Sequence, residues 1–168
     1  AVDIIRKKGL AIASKRADRD ANEGCVLAKT DGKHAAVVSL NSETDFVAQN
    51  EGFIAFTNRI LEAALANMPA DKEALLALKL DDRPVAEHVA EQTGVIGEKI
   101  EVAFYGKIEA EDCAVYIHPG NKLATAVGFN KTTDPQVMKN IAMQIAAMAP
   151  VAVNKDGIPK EVIDHEFE

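Results

Sequence analysis

The sequence predicts an α+β protein of two related subdomains, each an antiparallel β-sheet packed with helices, preceded by an N-terminal helix. Three observations carry that expectation. Apolar residues alternate through two hairpin-like stretches beginning at Glu23 and Glu111. They recur at three and four residues in the stretches that follow. The two hairpin-then-helix units also run in the same order, with Cys25 and Cys113 at matching places.

The elements follow in order. Residues 1–20 are rich in Ala, Lys and Arg, with Val2, Ile5 and Ile12 at loosely helical spacing, which predicts an opening helix. It starts without a capping residue, so the N-terminus reads as cut. This stretch holds Arg6, Lys7, Lys8, Lys15, Arg16 and Arg19 against only three Asp, an asymmetry whose plainest reading is a solvated helix face. From 23 to 41 the period changes to two and Asp31-Gly32 supplies a turn, giving a hairpin. Phe53, Phe56, Ile60, Ala64 and Met68 then mark an amphipathic helix that Pro69 ends. Two short helices are expected over 71–80 and 85–93, separated by Asp81-Asp82-Arg83-Pro84. Strand signals return over 99–109, 113–117 and 123–129, the last two joined by a turn at His118-Pro119-Gly120-Asn121. Asp134 is a good N-cap and Pro135 a good first helical residue for a helix carrying Val137, Ile141, Ile145 and Met148 on one face, ended by Pro150. A last helix from Pro159 is still running at Glu168, so the C-terminus reads as cut too.

The two halves align closely. Glu23-Gly24-Cys25, a hairpin, Asn41-Ser42-Glu43-Thr44-Asp45, a helix and Pro69 match Glu111-Asp112-Cys113, a hairpin, Asn130-Lys131-Thr132-Thr133-Asp134, a helix and Pro150. The offset is 88 before the turn and 89 after it, which assigns one inserted residue to the second hairpin turn and favours duplication. Between Asp45 and its long helix the first copy carries eight extra residues, Phe46 to Phe53. If Asp45 caps a short helix as Asp134 caps its own, Phe46 sits in the first turn and can project from the tip. The plain alternative is a core phenylalanine, since burying one stabilises by about 1.5–3 kcal/mol.

Composition bounds the function. A chain of 168 residues with 48% hydrophobic and 27% charged content is one ordinary domain or two small ones. Its apolar runs fall far short of the roughly 20 residues of a membrane-spanning helix, and nothing resembles a signal peptide. A net charge of −7 disfavours binding held by phosphate contacts to nucleic acid. Two distant cysteines in strand-like stretches read as buried, reduced thiols, which fits the cytoplasm. His34, His88, His118 and His165 lack metal-ligand spacing, so neither a metal nor a cofactor is expected. No nucleophile with its base can be assembled either. Gly94-Val95-Ile96-Gly97-Glu98-Lys99 superficially suggests a phosphate-binding loop, but Glu98 separates glycine from lysine and no Ser or Thr follows.

One stretch is distinctive. Asn41-Ser42-Glu43-Thr44-Asp45-Phe46-Val47-Ala48-Gln49-Asn50 closely resembles the signature of bacterial elongation factor Ts. Gly9, Glu23-Gly24, Ile96-Gly97-Glu98, Tyr116-Ile117-His118 and Ile141-Ala142-Met143-Gln144-Ile145-Ala146-Ala147 extend the likeness in the family's order. The resemblance implies a guanine nucleotide exchange factor, not an enzyme, whose partner is the GTPase elongation factor Tu. It implies partner contacts at Thr44, Asp45, Phe46, Val47, Ile96, Gly97 and His118, with the phenyl ring of Phe46 entering between two helices of the partner. The plain alternatives are Ile96 as core, and Gly97 and His118 as turn residues. It implies further that 1–20 is a linking helix, 21–110 an N-terminal core subdomain and 111–168 an incomplete C-terminal one. The family's small helical domain would precede residue 1. A homodimer is left open because some members dimerise. Two rival readings are a module that docks on elongation factor Tu without accelerating exchange, and a small hydrolase using His118 with a nearby acid.

Overall fold

The computed structural model describes residues 2–162, with side chains from Ala11 onward and that of Lys7. The expected helix running to Glu168 lies largely outside the described residues, as do the side chains of Val2, Ile5, Arg6 and Lys8; residues 160–162 are helical. Helix α1, Val2–Lys15, ends five residues before the predicted position 20. The chain then turns through 16–19, with the Arg19 N–H donating to Arg16 O at 3.0 Å.

Strands β1, Glu23–Thr30, and β2, His34–Ser42, form the predicted hairpin. Asp31 closes its turn by accepting from the backbone N–H groups of Lys33 and His34 at 3.1 and 2.8 Å. Strand β5, Glu101–Glu109, pairs antiparallel with the other edge of β2, so β2 is central in a β1-β2-β5 sheet. Period two then dictates burial. Cys25, Leu27, Ala36, Val38, Leu40 and Val102 join the main core, where Phe53, Phe56, Ile60, Leu61 and Ala64 of α3, Glu51–Asn67, meet them. The short helix α2, Asp45–Ala48, precedes α3.

The region after α3 departs from expectation. Residues 71–80 are not one helix: α4 spans Lys72–Ala77, capped by Asp71 accepting from the Ala74 N–H at 2.8 Å. Lys79–Leu80 (β3) then pairs with Arg83–Pro84 (β4) around Asp81, whose φ is 59°. The supposed break is thus a small hairpin. Leu80 is buried, and its carbonyl lies 2.8 Å from Nε2 of the buried His88, which favours extension over another helical turn. Helix α5, Val85–Ile96, outruns the expected end at 93 and stops where Gly97 takes φ 81°.

The second unit is the hairpin β6, Asp112–Ile117, and β7, Ala124–Phe129, followed by α6, Pro135–Met148. Its register corrects the expected insertion. Cys25 faces Leu40 in the first hairpin and Cys113 faces Gly128 in the second, so both strands keep one offset of 88. The extra residue therefore lies beyond β7 rather than in the turn. Both long helices end alike, on a left-handed non-glycine residue before proline: Met68 with Pro69 and Ala149 with Pro150.

The expected face of α6 is also corrected. Met138 and Ala142 are buried against the hairpin, and Thr125 Oγ1 donates to Ala142 O at 2.8 Å. Val137, Ile141 and Met148 are exposed. Small Ala142 allows close helix-to-strand approach, so that stripe wins over the bulkier one. The second hairpin also rests on the first sheet: the Val26 N–H donates to Asn121 O at 2.8 Å, and the Cys113 N–H donates to Gly32 O. Both cysteines are free and buried, and burial pushes the Cys25 thiol up to about 11.

Helices α1 and α5 meet backbone to backbone. A Cβ on Gly94 would lie 2.3 Å from the Gly9 Cα, whereas one on Gly9 would meet nothing closer than 3.7 Å. Gly94→Ala should therefore force the helices apart and destabilise by about 1–3 kcal/mol. Gly9→Ala should stay within about 0.5 kcal/mol of the parent in thermal unfolding.

Candidate functional site

The residues singled out in sequence gather at the α2 end of the first sheet. Beyond β2, the Ser42 hydroxyl donates to Thr44 O at 2.9 Å and bends the chain into α2. Asp45 does not cap this helix. Thr44 occupies the N-cap position, and Asp45 is the first helical residue. Thr44 makes no side-chain cap bond, because its hydroxyl donates to Oε1 of Glu98 at 2.8 Å and its N–H to Oε2 at 3.0 Å. The counterpart of Asp134 as the cap of a long helix is Asn50, which accepts from the N–H groups of Gly52 and Phe53 at 2.9 and 3.4 Å.

Phe46 projects from this support and is 85% exposed. Its neighbours on α2 turn inward: Val47 packs on the main core and Ala48 is buried. Phe46, Val47, Asn50, Phe53 and Ile96 line a hollow of about 240 Å³, so Ile96 lies beside the projecting residue while also packing on the core. Gly97 follows in a left-handed conformation with φ 81° and ψ 11°, which L side chains rarely adopt. Gly94-Val95-Ile96 is the end of a helix, where carbonyl oxygens face outward. A phosphate would be repelled there, in line with the rejected loop reading.

Crossing the Glu98 contacts is a second carboxylate that sequence reasoning missed. Glu43 accepts from the Lys99 backbone N–H at 2.7 Å, from Arg16 at 2.8 Å and from Arg19 at 3.1 Å. Lys99 Nζ in turn donates to Ala17 O and Arg19 O at 2.9 and 2.8 Å. Arg16 and Arg19, read as part of a solvated helix face, lie beyond the end of α1 and pair with Glu43, Arg16 half-buried and Arg19 still exposed. The Lys99 N–H foremost, with both guanidinium groups, holds the Glu43 carboxyl down at about 2. Fifty-four and fifty-six residues separate the bonded positions, so no local spacing could reveal them.

His118 sits in the β6–β7 turn, with the Asn121 N–H donating to His118 O at 3.0 Å. Its Nδ1 lies 3.0 Å from the Tyr116 hydroxyl, a phenol rather than the acid a hydrolytic pair would need. Lys122 of the same turn bonds Glu23 at 2.7 Å. Glu23 foremost, and also Asp45, push the Lys122 ammonium above its usual range. The turn and the start of α2 thus lie within electrostatic reach of each other. Among the described residues no group of three or more His, Cys, Asp or Glu is arranged to hold a metal ion, and no helix is long and apolar enough to cross a membrane.

The family model described as elongation factor TS matches residues 43–168. The chain belongs to the elongation factor Ts family. It is similar to elongation factor Ts of Porphyromonas gingivalis, at 50% identity over all of this chain and 62% of that protein. It is also similar to that of Bacteroides thetaiotaomicron, at 48% over 99% of this chain and 51% of the relative. Azobacteroides pseudotrichonymphae has a third such protein, at 46% over 99% and 61%. The chain therefore spans between about half and three-fifths of the length of these elongation factor Ts proteins.

Two stability experiments follow from this geometry. Phe46→Ala should shift unfolding by no more than about 0.5 kcal/mol, whereas Phe53→Ala, buried beside it, should cost about 3–5 kcal/mol. A large loss on removing Phe46 would make it core. Glu43 should also give acid sensitivity. Its folded carboxyl titrates at about 2 rather than the usual 4.5, so the unfolded chain binds its proton first. The stabilisation is complete above about pH 4.5 and is lost as pH falls toward 2. The charged groups facing it are Arg16 and Arg19, joined by the backbone N–H of Lys99. Circular dichroism of Glu43→Gln against the parent should show a shallower acid dependence in the variant.

Proposed function

We propose that the chain promotes nucleotide exchange on the GTPase elongation factor Tu, with Phe46 as a wedge. The observation carrying this reading is the phenyl ring that stands 85% exposed on a helix whose neighbouring apolar residues are turned inward. A ring held this open offers a partner a large apolar surface to bury. Membership of the elongation factor Ts family supplies the chemistry of the partner. The proposed contact set is Thr44, Asp45, Phe46 and Val47 with Ile96, Gly97 and His118. We also infer two core subdomains, 21–110 and 111–168, from the repeated hairpin and helix, with a homodimer as a further proposal.

The mechanism needs no acid, base or nucleophile. A GTPase holds its nucleotide through backbone N–H groups around the phosphates and through Mg²⁺. Pushing apart the elements that carry those groups weakens the grip. Coupling between ligands is reciprocal, so a factor that favours the nucleotide-free partner lowers nucleotide affinity by the same ratio. A rigid projecting ring suits this work because its binding orders little that is not already ordered.

Docking without exchange is the second reading, favoured by the chain's spanning only 51% to 62% of the length of its relatives. Release of fluorescent GDP from elongation factor Tu separates the two. Acceleration by the chain that Phe46→Ala reduces by at least tenfold supports exchange through the wedge. Binding without acceleration supports docking, and no binding rejects both. His118→Ala should slow exchange less than Phe46→Ala, and an unchanged rate would remove His118 from the contact set.

A further inference from the structure

We propose that Glu98 and Glu43 are positioning residues for the Phe46 wedge, forming a reciprocal carboxylate clasp between the segment entering α2 and the segment leaving α5. The inference rests on the exchange reading and extends it from the ring to the groups that aim it.

The clasp is reciprocal in a literal sense. Glu43 immediately precedes Thr44, and Glu98 immediately precedes Lys99. Glu98 receives the Thr44 N–H and hydroxyl, while Glu43 receives the Lys99 N–H. Each dipeptide thus offers one carboxylate and one backbone donor to the other. All three crossing bonds are part-buried and end on a carboxylate, and such charge-assisted hydrogen bonds are shorter and stronger than neutral ones.

Besides the clasp, α2 is held by the inward packing of Val47 and Ala48. A helix of four residues makes too few internal bonds to persist alone. Thr44, the residue placed to cap it, gives its hydroxyl to Glu98 instead. The direction of the phenyl ring is therefore set jointly by Val47 and Ala48 within α2 and by the clasp two residues before Phe46. Arg16 and Arg19 extend the clasp to the end of α1, so three segments converge on the base of the wedge. Without it the segment would sample several orientations, and the entropy of fixing one would fall on the encounter with the partner.

The test uses the 168-residue chain. In hydrogen–deuterium exchange of the free protein, Glu98→Ala and Thr44→Val should each speed amide exchange in segments 41–50 and 95–102 together, leaving the β1–β2 core protected. Thr44→Ser keeps the hydroxyl donor and should show the parent's amide exchange in both segments. In the fluorescent-GDP assay Glu98→Ala, at a residue outside the contact set, should lose about tenfold of the acceleration, the scale of one charge-assisted bond, and Thr44→Val at least as much. If Glu98→Ala fails to fold, the Thr44→Val and Thr44→Ser pair carries the comparison. Parent acceleration that Phe46→Ala abolishes but Thr44→Val keeps would overturn the clasp alone. Unchanged amide exchange in both segments would do the same. A parent chain that does not accelerate release would overturn the exchange reading, and the positioning role with it.

Discussion

The structure depends on burying one face of β2, the strand whose two edges are both paired. Ala36, Val38, Leu40 and Ser42 share the face that α3 covers and are fully removed from solvent, while on the other face, where the second hairpin leans, Ala35 is buried and Val37, Ser39 and Asn41 are half-buried. An interior strand of this kind cannot slip by one residue without turning its buried face outward. Its pairing with β1 on one edge and β5 on the other is thereby fixed. The small residues Ala35 and Ala36 let the layers approach closely, and Ser42 ends the strand where its hydroxyl can start the bend toward α2.

That fixed strand is what gives the exposed ring its meaning. The three residues between Ser42 and Phe46 connect a rigid core to a projecting side chain, and they carry both a clasp carboxylate and the backbone donor for the other. The same end of the sheet receives the close of α5, where Gly97 reverses the chain and delivers Glu98 to Thr44. Rigid support beneath an open apolar tip is the arrangement a wedge requires. It also explains how a site with no titratable nucleophile can still be highly specified.

The two hairpin-and-long-helix units differ at the entry to the long helix. In the second unit Asp134 caps the long helix directly, accepting from the Gln136 and Val137 N–H groups. In the first, the cap moves to Asn50, and the residues before it wind into the extra turn that bears Phe46. The insertion thus leaves hairpin, long helix and terminating proline in place. It costs the core nothing that Ala48 and Val47 do not restore by packing inward.

The sequence alone determined the parts governed by local periodicity: the two hairpins, the long helices with their proline ends, and the distinctive stretch at 41–50. It also marked Phe46 as able to project, because its place within the extra segment is a matter of counting residues. Where competing local patterns existed, only tertiary structure decided. The α6 stripe that packs is Met138 and Ala142 rather than the larger residues beside them, and Leu80 is drawn into a strand by burial and by His88. The clasp lay furthest from view. Hydrogen bonds between residues more than fifty positions apart leave no period in a sequence, since what brings Glu43 to Lys99 and Glu98 to Thr44 is the stacking of whole elements.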